Sequence, residues 1–230
     1  MIVLYKFEMH VHTSECDKVA MVDGAEMVRM YADAGYSGMV VTDHYFSMFE
    51  ERFFPEIKNV PHEEFVRRWL KGYYNARNEG EKTGFTVLSG AEVRLDSLPN
   101  DYLVYGVDES LFYTLPRLNR LGSLKELSEV LPDDALIVQA HPFRNNMLVR
   151  DPSEVFGIEA FNGGTEDFRN EMAKSFAEHY GKRMTSGSDY HGKKAFASGG
   201  IATDRKILTQ KDLTETLKSG NYKLIEKGNI

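Results

Sequence analysis

Two histidines one residue apart, His10 and His12 in Glu8-Met9-His10-Val11-His12-Thr13, close an apolar N-terminal stretch. Further imidazoles and carboxylates recur where later apolar runs end, in Thr42-Asp43-His44, Gly90-Ala91-Glu92, Gln139-Ala140-His141-Pro142 and Ser188-Asp189-Tyr190-His191. On a strand, positions i and i+2 project from one face, so His10 and His12 can share an ion. Alone, such a pair is equally well a partly exposed strand end. The set His10, His12, Asp17, His44, Glu92, His141, Asp189 and His191 is far more specific, because its members fall at or just beyond strand ends and are the ligand types that borderline divalent cations prefer. They point to a polynuclear metal site, whose ions would lower the pKa of water from about 15.7 toward 7.

The elements that position these residues are legible in the pattern. Runs rich in β-branched or aromatic residues fall at 2–8, 38–42, 85–89, 102–107, 136–140, 157–161 and 183–186, giving seven expected strands. Helical periods fill most of the gaps, over 25–34, 62–82, 124–131 and 166–180, each stopped by Gly or Pro. Only the gap after Ser89 is too short to hold a helix. Alternating strands and helices imply crossover connections and a mostly parallel sheet, either doubly wound or closed into a distorted barrel. The clustering of ligands at strand ends favours the barrel. After Gly199, a short run at 200–203, a helix over 209–218 and a run at 222–225 are expected to form a C-terminal appendage.

Bulk properties set limits on function. The chain has 230 residues, 42% hydrophobic and 27% charged, which suits one α/β domain over 1–230. It has no apolar run near the roughly 20 residues of a membrane span and no leader-like segment in Met1-Ile2-Val3-Leu4-Tyr5-Lys6, so a cytoplasmic location and no membrane partner are expected. The single cysteine, Cys16, lacks a partner for a disulfide or thiolate site. A net charge of −7 disfavours a nucleic-acid partner but leaves room for a local cationic pocket.

The run His10-Val11-His12-Thr13 with Asp17, then Thr42-Asp43-His44, Glu92, His141-Pro142 and Asp189-Tyr190-His191, resembles the PHP (polymerase and histidinol phosphatase) domain over about residues 8–191. The resemblance implies a distorted seven-stranded (β/α) barrel that hydrolyses phosphate esters with two or three divalent ions of Zn, Mn or Fe type. It also implies that His10, His12, Glu92 and Asp189 bind one ion, that Glu92 bridges to a second held by His141, and that Asp17, His44 and His191 hold a third. One departure stands out: many members carry a histidine on the strand after the bridging Glu, where this chain has Leu103 in Asn100-Asp101-Tyr102-Leu103. The second ion is then under-coordinated, absent, or completed by water or a nearby group such as Asp101.

Within this frame, Asp189 is the expected catalytic residue that orients the attacking water or takes its proton, and His191 the acid for the leaving oxygen. Arg144 and Arg94, just beyond His141 and Glu92, are candidates for substrate phosphate binding, Arg144 the better placed; for each the alternative is a surface ion pair. Glu159 reads as a site residue or as the partner of a neighbouring cation, and Asn162 as a loop cap. His62 and His179 read as surface residues at helix ends, and Trp69, Tyr73 and Tyr74 as packing. The leading function is hydrolysis of a small phosphorylated metabolite such as histidinol phosphate or a nucleotide. A nuclease-type phosphodiesterase and a non-catalytic metal-binding regulatory module are the alternatives.

Overall fold

Short β-branched and aromatic runs become strands, and the amphipathic periods between them become helices, over residues 4–192 and 194–229 described by the computed structural model. In chain order the elements begin β1 (Tyr5–Val11), α1 (Gly24–Asp33), β2 (Tyr36–Val41), β3 (His44–Tyr45), α2 (His62–Trp69), α3 (Lys71–Thr83), β4 (Thr86–Ser89), β5 (Ala91–Arg94) and β6 (Asp101–Tyr105). They continue with α4 (Leu124–Val130), β7 (Leu136–Gln139), β8 (Gly157–Asn162), α5 (Asp167–His179), β9 (Arg183–Gly187), β10 (Gly199–Thr203), α6 (Gln210–Ser219) and β11 (Lys223–Glu226). Ile2 and Val3 of the expected first strand lie outside the described residues. No helix among the described residues is long and apolar enough to cross a membrane.

The strands form two open sheets, ordered β11-β10-β1-β2-β4 and β3-β5-β6-β7-β8-β9, rather than a closed seven-stranded ring. The pairing is mixed: β5–β6, β6–β7, β1–β10 and β10–β11 are antiparallel. The short loop 95–100 explains the first of these, because a parallel return needs a crossover of about a dozen residues or more. Nor is the C-terminal segment an appendage. β10 pairs with β1, with Phe7 opposite Ile201, and β11 adds an edge beyond it. At Gly90 the chain passes from β4 in one sheet to β5 in the other, and a Cβ there would come within 2.6 Å of Val40 Cγ1.

Two apolar clusters follow from this layering. Phe7, Met9, Val40, Leu88 and Ile201 of the first sheet meet Leu103, Tyr105, Leu136 and Val138 of the second, with Leu213 and Leu217 of α6 packed among them. The outer cluster sets Met27, Val28, Trp69, Ala76, Leu127 and Ala173 of the helices against Met39, Val87, Val104 and Ile158 of the strands. Barrel-like layers are therefore present without a closed ladder. The helix expected over 62–82 is split at Leu70, and the Trp69 carbonyl in the last turn of α2 accepts from Cys16 Sγ at 2.6 Å. Insertion of a side chain at a helix break satisfies a carbonyl that the break frees.

Helices α1 and α3 cross where neither carries a side chain. A Cβ on Gly24 would fall on the Gly72 carbonyl oxygen, and one on Gly72 on the Thr13 hydroxyl. Thr13 donates its N–H and its hydroxyl to Asp43 at 2.6 and 2.8 Å, so this crossing fixes the segments that present His12 and His44. Because backbone cannot yield as a side-chain tip can, Gly24→Ala is expected to destabilise the protein by about 1–3 kcal/mol. A urea unfolding midpoint equal to that of the wild type would show that the helices do not approach this closely.

Candidate metal centre

Each candidate ligand comes from a different point on the fold. His10 lies in β1 and His12 just past it; Asp17 sits in the following loop, His44 opens β3 and Glu92 is in β5. His141 follows β7, and Asp189 and His191 follow β9. Asp101 joins them because β6 runs antiparallel to β5, which puts the start of β6 at the same rim. All eight residues expected from the sequence converge there. His10, His12, Asp17, Glu92, His141 and Asp189 are buried, and His44 and His191 are partly exposed.

Among the described residues, three groups have donor atoms close enough to share an ion: His12, Asp17, His44 and His191; His10, His12 and Asp189; and Glu92, Asp101 and His141. Glu92 links them. Its Oε2 lies 3.5, 3.3 and 3.0 Å from Nε2 of His10, His12 and His44, and its Oε1 lies 2.9 Å from His141 Nε2. Asp189 Oδ1 is 3.2 Å from His12 Nε2 and 3.6 Å from His10 Nε2. Asp17 Oδ2 is 3.1 Å from His44 Nδ1 and 2.9 Å from His191 Nε2.

This donor set fits divalent cations better than it fits hydrogen bonds. Glu92 Oε2, Asp17 Oδ2, and Nδ1 of His12, His44 and His141 are buried without a hydrogen-bond partner among the described residues, although imidazole nitrogens crowd both carboxylate oxygens. Donors aimed at a common point, with unsuitable angles between them, are the arrangement that ligands take around an ion. Electrostatics agrees. Burial would depress His10 and His44, yet Glu159, Asp189 and Glu92 raise His10 well above the usual imidazole value, and Glu92 and Asp17 raise His44 to about 10. His12, buried beside His44 and His191, is lowered to about 4. The buried carboxylates thus draw positive charge into the cluster, a charge that bound cations would supply.

Outer partners hold the ligands in orientation. Glu159 Oε1 takes His10 Nδ1 at 2.8 Å, and its Oε2 accepts from the His141 backbone N–H and from Asn162 Nδ2, both at 2.9 Å. A carboxylate on the far nitrogen of a ligating histidine fixes its tautomer and ring orientation. Asn162 Nδ2 also reaches Asp189 Oδ2 at 3.2 Å, so one buried amide connects the partner of His10 with a second ligand. Asn162 caps its loop as expected, its Oδ1 accepting from Gly164 N at 2.9 Å, but its Nδ2 also joins Glu159, and the spacing of the two across one strand end is the signal that pairs them. His141 and Asp189 have φ of 27° and 49°, sparsely populated values for residues other than Gly and characteristic of functional sites.

The two arginines part company. Arg144 Nη2 contacts Asp189 Oδ2 at 2.5 Å, Asn162 Oδ1 at 2.8 Å and Thr165 Oγ1 at 3.1 Å, while its Nη1 has no hydrogen-bond partner among the described residues. Together with Asp189, His191, Gly163, Gly164 and Met21 it lines an open cleft of about 840 Å³. Arg94 is a neighbour of the cluster but does not line that cleft, and its Nε and Nη2 both bind Asp101, at 2.6 Å each. His62 bonds the Phe112 carbonyl and His179 ends α5, both outside the cluster as expected.

Comparisons place this geometry among known proteins. A family model described as PHP-associated matches residues 168–222. A two-domain protein from Bacteroides vulgatus that contains a predicted PHP-like metal-dependent phosphoesterase has TM-score 0.65 and 16% identity over 98% of this chain; the chain spans 65% of that protein. A candidate metal-dependent phosphoesterase from Bifidobacterium adolescentis has TM-score 0.53 and 15% identity, covering 92% of this chain and 95% of the other. An amidohydrolase from Chromobacterium violaceum, with bound sulfate and no metal, has TM-score 0.56 and 13% identity, covering 96% and 97%. No curated protein matches the chain. The chain thus shares its fold with proteins described as PHP-like metal-dependent phosphoesterases, and the PHP-associated match falls on the segment that carries Asp189 and His191.

Proposed function

We propose that this protein hydrolyses a small phosphorylated metabolite, with divalent cations held by His10, His12, Asp17, His44, Glu92, His141, Asp189 and His191. The observation that carries the reading is the position of Arg144, a permanent cation with one terminal nitrogen uncommitted, where the ligand cluster opens into a cleft of small-molecule size. Divalent ions bound in the cluster would supply acidified water and neutralise phosphoryl charge.

The chain's own residues divide the remaining work. Arg144 Nη1 is available to an anionic oxygen of the substrate, in a charge-assisted hydrogen bond. Asp189 is a poor proton acceptor: burial would raise its pKa, but His10, His12 and Arg144 hold it well below the usual carboxylate range. Its role is to orient, with Oδ2 pinned by Arg144 and Asn162 and Oδ1 turned toward His10 and His12. His191 Nδ1 contacts the Asp189 carbonyl at 3.1 Å and Nε2 faces Asp17, so we assign it to cation binding rather than to protonation of the leaving oxygen.

Three measurements test this reading. Phosphate release from a panel of sugar, amino-alcohol and nucleoside monophosphates is expected to vanish on dialysis against a chelator and to return with Mn²⁺ or Zn²⁺; activity that survives complete removal of metal would overturn it. Arg144→Ala is expected to weaken inhibition by inorganic phosphate about 10–100-fold, the range for one charge-assisted hydrogen bond, and an unchanged inhibition constant would remove Arg144 from the substrate site. Asn162→Ala is expected to lower cation affinity about 10–100-fold through the loosened Glu159 and Asp189; calorimetric titration with wild-type affinity would assign Asn162 to the loop alone.

A further inference from the structure

β5 and β6 pair antiparallel with Glu92 opposite Leu103 and Arg94 opposite Asp101. Directly paired residues lie on one face, as do residues two apart, so Glu92, Arg94, Asp101 and Leu103 share a face of the sheet. Leu103 is fully buried in the inner apolar cluster with Met9, Tyr105 and Val138 and offers no donor. Asp101, one pair nearer the rim, is 3% exposed. Its Oδ2 lies 3.8 Å from His141 Nε2, which is itself 2.9 Å from Glu92 Oε1, and the three residues present donor atoms all within 4.8 Å of one another.

We propose that Asp101 is the ligand that takes the place of the histidine absent at Leu103, completing a Glu92–Asp101–His141 cation site, and that Arg94 is its positioning residue. The inference rests on the reading that the cluster binds divalent cations. Arg94 grips Asp101 in a fork, Nε on Oδ1 and Nη2 on Oδ2 at 2.6 Å each. Each carboxylate oxygen has two lone pairs, so Oδ2 keeps one to direct toward His141 and Glu92 while the guanidinium fixes the plane of the group. The backbone couples the same residues, because the N–H of Ala140, next to His141, donates to the Asp101 carbonyl at 3.0 Å. Exchange of an imidazole for a carboxylate also changes what the site prefers. Two carboxylates with one imidazole form a harder donor set than His12, Asp17, His44 and His191, and carboxylate-rich sites suit Mn²⁺ where imidazole-rich ones suit Zn²⁺.

The test counts ions instead of turnover. The wild-type protein, Asp101→Asn, Asp101→His and Arg94→Met are each equilibrated with Mn²⁺ alone and, separately, with Zn²⁺ alone; bound metal per chain is measured by mass spectrometry, affinity by calorimetry and folding by circular dichroism. Asp101→Asn is expected to hold one Mn²⁺ fewer per chain than wild type, and Asp101→His to regain that equivalent when Zn²⁺ is supplied. Arg94→Met is expected to keep the wild-type number while binding the ion about 10–100-fold more weakly, as loss of a ligand's hydrogen-bonding partner does. Equal Mn²⁺ content in folded Asp101→Asn and wild type would overturn the proposal. So would an extra equivalent in Arg94→Met, which would mean that the guanidinium itself stands in for a cation. A wild-type protein that binds no Mn²⁺ or Zn²⁺ would instead defeat the cation reading on which both proposals stand.

Discussion

Glu92 concentrates the main constraint of the molecule: a carboxylate 1% exposed, with Nε2 of His10, His12, His44 and His141 all within 3.5 Å of its two oxygens. Removal of such a group from water is costly unless positive charge and oriented donors surround it. The imidazoles that meet it come from both sheets, His10 and His12 from β1 and its end, His44 and His141 from beside strands of the other sheet. The sheets are also joined at this end by the isolated Val11–Tyr190 bridge, by hydrogen bonds from Asp189 N to His10 O and from His12 N to Tyr190 O, and by those that Ser188 makes with Glu8 and Gly199. The ligand cluster therefore belongs to the joint between the sheets as much as to the chemistry, and the helices packed outside the strands hold that joint in register.

Two Arg–Asp pairs flank the cluster and differ in kind. Arg144 holds Asp189 from the cleft side and keeps one nitrogen without a partner among the described residues, whereas Arg94 meets Asp101 with two parallel bonds on the sheet face. A guanidinium serves both roles because it is planar and permanently charged: it fixes the orientation of a carboxylate while offsetting part of its charge. Glu159 does the complementary task for an imidazole through His10 Nδ1. Ligands on so many separate segments keep a common geometry only when each is restrained from behind, and these partners supply the restraint.

The sequence made the residues of the cluster and most elements legible because both signals are local. Imidazoles and carboxylates mark strand ends by position, and strands and helices announce themselves by period, so α1, α4, α5 and α6 lie within a residue or two of where the pattern puts them. What was not legible depends on pairing. The two-residue β3 is too short for any periodicity to show, and the direction of β6 is set by a short loop whose only trace in the sequence was a gap with no room for a helix. The sequence names Asp101 as one possible substitute near the site, but its place there depends on that direction: in a parallel arrangement the start of β6 would lie at the far end from the cluster, and the antiparallel turn brings it there. Arg94 forms the ion pair that is one of its two readings, but with a partner named by register and not by spacing.

The C-terminal third shows how far a local reading can mislead about rank. Residues 168–222, matched by the PHP-associated model, hold α5, β9, β10 and α6 together with Asp189 and His191. The left-handed backbone of Asp189 is a strained conformation of the kind that costs about 1–3 kcal/mol and persists only where neighbours over-determine it. Here they do. Buried Glu8 of β1 accepts from the Ser188 N–H at 2.9 Å and its hydroxyl at 2.5 Å, Ser188 Oγ accepts from Gly199 N at 3.1 Å, and the Gly199 carbonyl accepts from Tyr36 at 2.6 Å. Burial pushes Glu8 up to about 7 even against these hydrogen bonds, a measure of how dry the joint is. Because β10 pairs with β1 and its Gly199 belongs to this network, a strand of the C-terminal segment helps keep Asp189 turned toward the histidines of the N-terminal one.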